Sequence, residues 1–160
     1  MDYIIQIIVS FIATACFGII FNVPIKRVFF CGIVGAMGWI VYYVSIQREI
    51  DPVQASFLGA FAVAIAAHVL AKKYKTPMIV FNVSGIIPLV PGGIAYNAMR
   101  SAVENDYLVS IQYGFKAFMI SGAIAMGLAF AEVLMQLIFK ARDSGRSRFQ
   151  HVRKKHKRLL

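Results

Sequence analysis

The stretch Asn82-Val83-Ser84-Gly85-Ile86-Ile87-Pro88-Leu89-Val90-Pro91-Gly92-Gly93 holds the residues of this chain best suited to chemistry, and that chemistry is binding. A proline inside a helix removes a hydrogen bond and clashes with the preceding turn, at a cost of ~3 kcal/mol or more. Pro88 and Pro91, followed by Gly92 and Gly93, therefore predict an unwound break in a helix. A half-helix restarting at Gly92-Gly93-Ile94 would aim its free N–H groups and positive dipole end at an anionic group. Asn82 and Ser84 precede the break, and Tyr96, Asn97, Arg100 and Ser101 follow it, supplying polar groups at helical spacing. The same residues also allow a simple kink that shapes the helix and binds nothing.

Two further polar residues interrupt apolar stretches. Glu132 shares a helical face with Ala125, Ala129 and Gln136, and His68 lies among small residues of an earlier stretch. A carboxylate at membrane depth is costly and usually faces a bundle interior, so both are candidates for proton coupling. Their plainer readings are a carboxylate that reaches the interface and a histidine satisfied by its own helix. Arg100 and Glu104 lie four apart and can pair on a helix surface. Cys16 and Cys31 sit inside apolar stretches without the spacing of a disulfide or zinc site, so no metal and no cofactor is expected. An intramembrane enzyme would need a nucleophile–base pair or a metal cluster, and no such pattern is present, so the reading is non-enzymatic.

The elements that position these residues are hydrophobic helices. Of the 160 residues 59% are hydrophobic, against about 45–50% in an ordinary soluble domain. A bilayer needs about 20 consecutive apolar residues per helical span, and five stretches qualify. They run Tyr3–Phe21, Val28–Ile46, Pro52 to just before Lys72, Pro77 to about Met99, and about Phe115–Phe139. Asp51-Pro52 and Thr76-Pro77 read as an N-cap followed by proline at the first helical position. The fold class is thus an all-α membrane protein with about five transmembrane helices, the fourth broken at Pro88–Gly93. It has a transmembrane domain over residues 1–139 and a basic tail over 140–160. The first stretch lacks a basic leader and reads as a permanent span, not a cleaved signal.

Charge orients these spans. Loops rich in Lys and Arg stay cytoplasmic. Five spans put Lys26, Arg27, Lys72, Lys73, Lys75 and the tail on one side, with the N-terminus opposite. Much of the net charge of +10 lies in the tail, where anionic headgroups explain it better than nucleic acid does. Small residues repeat at helical spacing on the second, third and fifth spans, as at Ala60, Ala64 and Ala67, or Gly122, Ala125 and Ala129. Such faces let membrane helices approach closely.

Phe21-Asn22-Val23-Pro24 and Ile87-Pro88-Leu89-Val90-Pro91-Gly92-Gly93-Ile94-Ala95-Tyr96 resemble the threonine/serine exporter family. More narrowly, the chain is similar to its small-subunit, YjjB-type half, over essentially all five spans. The motif residues carried by the resemblance are Asn22, Pro24, Pro88, Pro91, Gly92 and Tyr96. The resemblance implies export of threonine, serine or a dicarboxylate such as succinate across the bacterial inner membrane. It also implies a larger complementary subunit (YjjP-like) as partner. Membrane lipids and the small-molecule substrate complete the expected partners; homo-oligomers are compatible with the pattern, and nucleic acid is not expected. The alternative is a channel or an accessory scaffold subunit without its own path.

Overall fold

The computed structural model describes the backbone of residues 2–156 and the side chains of residues 3–140. Helices α1 (Asp2–Ile20), α2 (Ile25–Gln47), α3 (Pro52–Tyr74) and α4 (Met78–Ile86) follow one another through short turns. A single 3-10 turn, Ile87–Leu89, then leads into α5 (Gly92–Val103) and α6 (Tyr107–His156). By length and apolarity α1, α2, α3 and α6 up to Lys140 can each cross a membrane. The segments Met78–Leu89 and Gly92–Val103 qualify only together, and they are bent by 52° at the break. The expected all-helical fold with a broken fourth segment is therefore present.

The turns share one device. Asn22, Glu49, Lys75 and Asn105 each adopt positive φ, between 50° and 65°, just past the end of a helix. After α1, Asn22 N–H bonds Ile19 O at 3.0 Å and Val23 N–H bonds Gly18 O at 3.0 Å. Equivalent pairs follow α2 and α5, where Ile50 N–H reaches Ser45 O and Asp106 N–H reaches Ser101 O. These left-handed caps satisfy carbonyls that the helix end leaves without partners. A proline follows the first three within three residues, at the cap of α2 and α4 and at the first helical position of α3, where no N–H donor is needed. Asp51 caps α3 as expected, its Oδ1 accepting from Val53 N–H at 2.8 Å. Thr76 does not cap α4: its hydroxyl donates to Tyr74 O at 3.2 Å, and Pro77 occupies the cap position.

Glycines set how closely α1 to α4 pack. A methyl added to Gly32 would lie 2.6 Å from the Phe11 ring, and one added to Gly35 would overlap Thr14. At the α2–α3 crossing, a Cβ on Gly59 would sit 3.1 Å from Gly38 O and 3.0 Å from Leu89. Leu89 is buried in that crossing together with Val34, Ala60, Val63, Ile120 and Ile124. Small residues here trade side-chain burial for close contact between helices, which is the main attraction available in lipid.

The last helix begins earlier than apolarity alone predicts, at Tyr107 instead of near Phe115. Asp106 starts it, accepting from Ser110 N–H through its carbonyl at 3.0 Å. Helix α6 packs on α3 and α5. Gly127 lies against Phe57 O and Ala60, and Phe139 against His68 and Lys72, so α3 and α6 run in the same direction. That register sets residue 120 of α6 level with the start of α3. The preceding turns of α6, with α5 packed alongside, extend roughly 20 Å past that level at 1.5 Å per residue. α6 continues as helix to His156, and the side chains of the basic tail beyond Lys140 lie outside the described residues.

Candidate functional site

The break divides the candidate residues between two environments. Helix α4 packs against α1, α2 and α3. Ser84 is wholly buried there, its hydroxyl donating to Val80 O at 3.0 Å. Asn82 Oδ1 is also buried and has no hydrogen-bond partner among the described residues. Leaving such an acceptor unsatisfied costs about 1–3 kcal/mol, and no described residue offsets that cost at Asn82.

Pro88 lies in the 3-10 turn, and Pro91 forms the cap of α5. Val90 between them is extended, with φ −62° and ψ 128°, so the helix is interrupted and not merely bent. Gly92 N–H turns back to Val90 O at 2.8 Å. Gly93 and Ile94 are left as first-turn donors, which have no acceptor within their own helix. A Cβ on either Gly92 or Gly93 would meet nothing within 4 Å, so the start of α5 is open. Tyr96, Asn97 and Arg100 follow on α5 and are exposed. Arg100 Nε donates to Glu104 Oε1 at 2.9 Å with both side chains more than half exposed, so this pair contributes at most about 1 kcal/mol. Asn82 and Ser84 are thus not brought together with Tyr96, Asn97 and Arg100. The first turn of α5, open around Gly92 and Gly93, stands between the two groups.

His68 and Glu132 do not meet. His68 Nδ1 lies 3.1 Å from Ala64 O, a contact within its own helix. Glu132 is exposed on α6 and accepts from Gln136 Nε2 at 3.4 Å.

A second feature escaped the reading of the break. The Phe21-to-Pro24 turn faces α4 across a cleft of about 210 Å³ lined by Phe21, Asn22, Pro24, Ile79, Val83 and Ser84. Val23 and Phe81 are buried in one cluster below it. The signal in the sequence was the repeated Phe-Asn-Val triplet, at Phe21 and Phe81. Its two copies meet in space. Beside this cleft Arg27 lies over the Tyr74 ring, 4.4 Å from its centroid, and Lys72 lies 3.7 Å from that of Phe139. Lys26, Arg27, Lys72, Lys73, Lys75 and Lys140 therefore gather at one end of the bundle. Tyr3, hydrogen-bonded to Gln47, marks the opposite end.

A bundle of apolar helices, four long enough to cross a membrane and a fifth pair broken at Pro88–Pro91, has the architecture of a multi-pass membrane protein. A family model described as "Threonine/Serine exporter, ThrE" matches residues 6–134, and the chain belongs to that family. An uncharacterized protein of Haemophilus influenzae is 31% identical over 126 residues, covering 74% of this chain and 42% of the relative. The chain thus spans less than half the length of that relative. No solved structure matches it.

Proposed function

We propose that this chain is one half of a secondary exporter that moves threonine, serine or a small dicarboxylate such as succinate outward across the bacterial inner membrane. It works without catalysis and together with a larger complementary, YjjP-like subunit. The N-terminus is outside and the C-terminus cytoplasmic, with the basic end of the bundle inward. All of these solutes carry a carboxylate, the group that free N–H donors at a helix start bind best.

The observation that carries the reading is the open start of α5, with nothing within 4 Å of a Cβ on Gly92 or Gly93. Irregular backbone within a membrane bundle is tolerated where it meets protein, and Leu89 at the break is buried at the α2–α3 crossing beside Gly38 and Gly59. Asn82, Ser84, Pro88 and Pro91 form the near side of the path, and Gly93, Tyr96, Asn97 and Arg100 the far side. Glu132 and His68 remain the proton-coupling candidates. The accessory-scaffold alternative draws on one observation: Ser84 is buried within the bundle, whereas Tyr96, Asn97 and Arg100 are exposed on α5.

Closing the break separates these readings. Pro88→Ala with Pro91→Ala lets the helix continue, restoring hydrogen bonds worth about 1 kcal/mol each and withdrawing the free donors. Efflux of threonine, serine and succinate is measured per correctly inserted molecule, with the complementary subunit present. Loss of normalised efflux is expected. Near-normal efflux would reduce the break to a shape element and overturn the site.

A further inference from the structure

On α6 the residues Phe118, Gly122, Ala125, Ala129, Glu132 and Gln136 follow in steps of 4, 3, 4, 3 and 4, and every one is exposed. Ile111 and Phe115 extend the same spacing toward the start of the helix, also exposed. A stripe repeating every 3.5 residues is the pattern by which two helices wrap together at a shallow crossing angle. It lies on the side of α6 opposite Ile120, Ile124, Ala131 and Met135, which are buried. Among the described residues α6 packs on α3 and α5, and this stripe stays exposed.

The glycines show the same contrast. Gly32, Gly35, Gly38, Gly59, Gly85 and Gly127 each have a neighbour where a side chain would go, at 3.0 Å or less, whereas Gly122 has nothing within 4 Å. Charge adds an independent argument. The register of α6 on α3 sets Glu132 level with Ala64, near the middle of the α3 span. Facing outward there, its carboxylate would meet acyl chains, an expensive position that carboxylates in membranes avoid by facing protein or water.

We infer that this stripe is the docking surface for one transmembrane helix of the complementary subunit, a helix that offers a cation or a hydrogen-bond donor opposite Glu132. The inference rests on the two-half reading given above. A second copy fits poorly: in one bilayer and one orientation, α6 against α6 sets Glu132 at the same depth as its counterpart, carboxylate against carboxylate. The Haemophilus influenzae relative fits well, since this chain covers only 42% of it and the remainder of that polypeptide is available to supply the covering helix. Phe115 and Phe118 hold the two helices apart at one end, while Gly122, Ala125 and Ala129 let them close in the middle.

The test co-produces this chain with the YjjP-like subunit and places a photoreactive benzophenone side chain in place of Phe118, or in place of Phe29 on the exposed face of α2 as control. A cross-link to the larger subunit from position 118 and none from 29 is expected. Ala125→Leu with Ala129→Leu should lower the co-purified fraction about tenfold or more, the change that ~1.4 kcal/mol of lost contact produces. Leucine suits lipid as well as alanine does, so insertion and melting of this chain alone should stay unchanged. Glu132→Lys should break the complex while Glu132→Gln largely keeps it. Cross-links from position 29 only, or an adduct of twice this chain's own mass, would overturn the surface and leave the two-half reading in place. If the unmodified chains fail to co-purify at all, the two-half reading falls and the surface with it.

Discussion

Arg27 reaches across 47 positions of sequence to Tyr74, donating from Nη2 to its carbonyl at 3.3 Å while the guanidinium lies 4.4 Å from the ring centroid. The contact joins the start of α2 to the end of α3, so both turns lie at one end of the bundle. Phe30 stacks on the same tyrosine at 4.4 Å and completes the cluster.

Together with the proposed orientation, this contact sets a labelling pattern. Single cysteines at Lys26 and Lys75, in a chain with Cys16→Ser, should react with an impermeant maleimide only from the cytoplasmic side. A cysteine at Arg48 should react only from outside. Labelling of Lys26 and Lys75 from opposite faces would rule out this arrangement of spans.

Asn82 should resist the ordinary rule that loss of a buried polar group destabilises. Its Oδ1 has no partner to lose among the described residues, so Asn82→Leu removes a desolvation penalty. The expected outcome is a melting temperature equal to or above the unmodified protein's, reflecting a stability gain of up to about 1–3 kcal/mol, with efflux strongly reduced. A marked fall in melting temperature would mean that Asn82 supports the fold.

Gly127 and Gly122, five residues apart on one helix, should respond in opposite ways. A side chain at Gly127 would press on Phe57 O at 2.7 Å, a backbone atom that cannot rotate aside. Gly127→Val should therefore cost about 1–3 kcal/mol or more by forcing α3 and α6 apart. Gly122→Ala meets open space and should leave the thermal stability of the isolated chain unchanged within error. Equal effects at the two positions would contradict the packing of α6 described here.

Glu49 holds a left-handed conformation, φ 61°, at the end of α2. A residue with a Cβ is strained there by roughly 1 kcal/mol, and glycine is not. Glu49→Gly should thus stabilise the protein by about that amount in thermal unfolding, against the usual trend for glycine substitutions. Destabilisation would indicate that the Glu49 side chain makes a contact outweighing its strain.

Apolarity and charge, properties of short windows of sequence, were enough to read the spans, their order and the break. Pro88, Pro91 and the paired glycines act on the backbone next to them, so their effect needs no distant partner. The same holds for Asp51-Pro52 at the start of α3. Windows failed where the decision was tertiary. Helix α6 starts at Tyr107 because Asp106 begins it and α5 packs alongside, though its first turns are less apolar than a span requires. Asn82 and Ser84 before the break and Tyr96, Asn97 and Arg100 after it lie close in sequence, yet the 52° bend sends them into separate surroundings. The face bearing Gly122, Ala125 and Ala129 is read from sequence as a packing face, but only the structure shows that it stays exposed among the described residues. Local rules decide what a segment becomes, because the forces on its backbone come from its neighbours in sequence. Which of its faces is covered depends on helices far away in the chain, and each of those faces looked equally suitable until the bundle chose one.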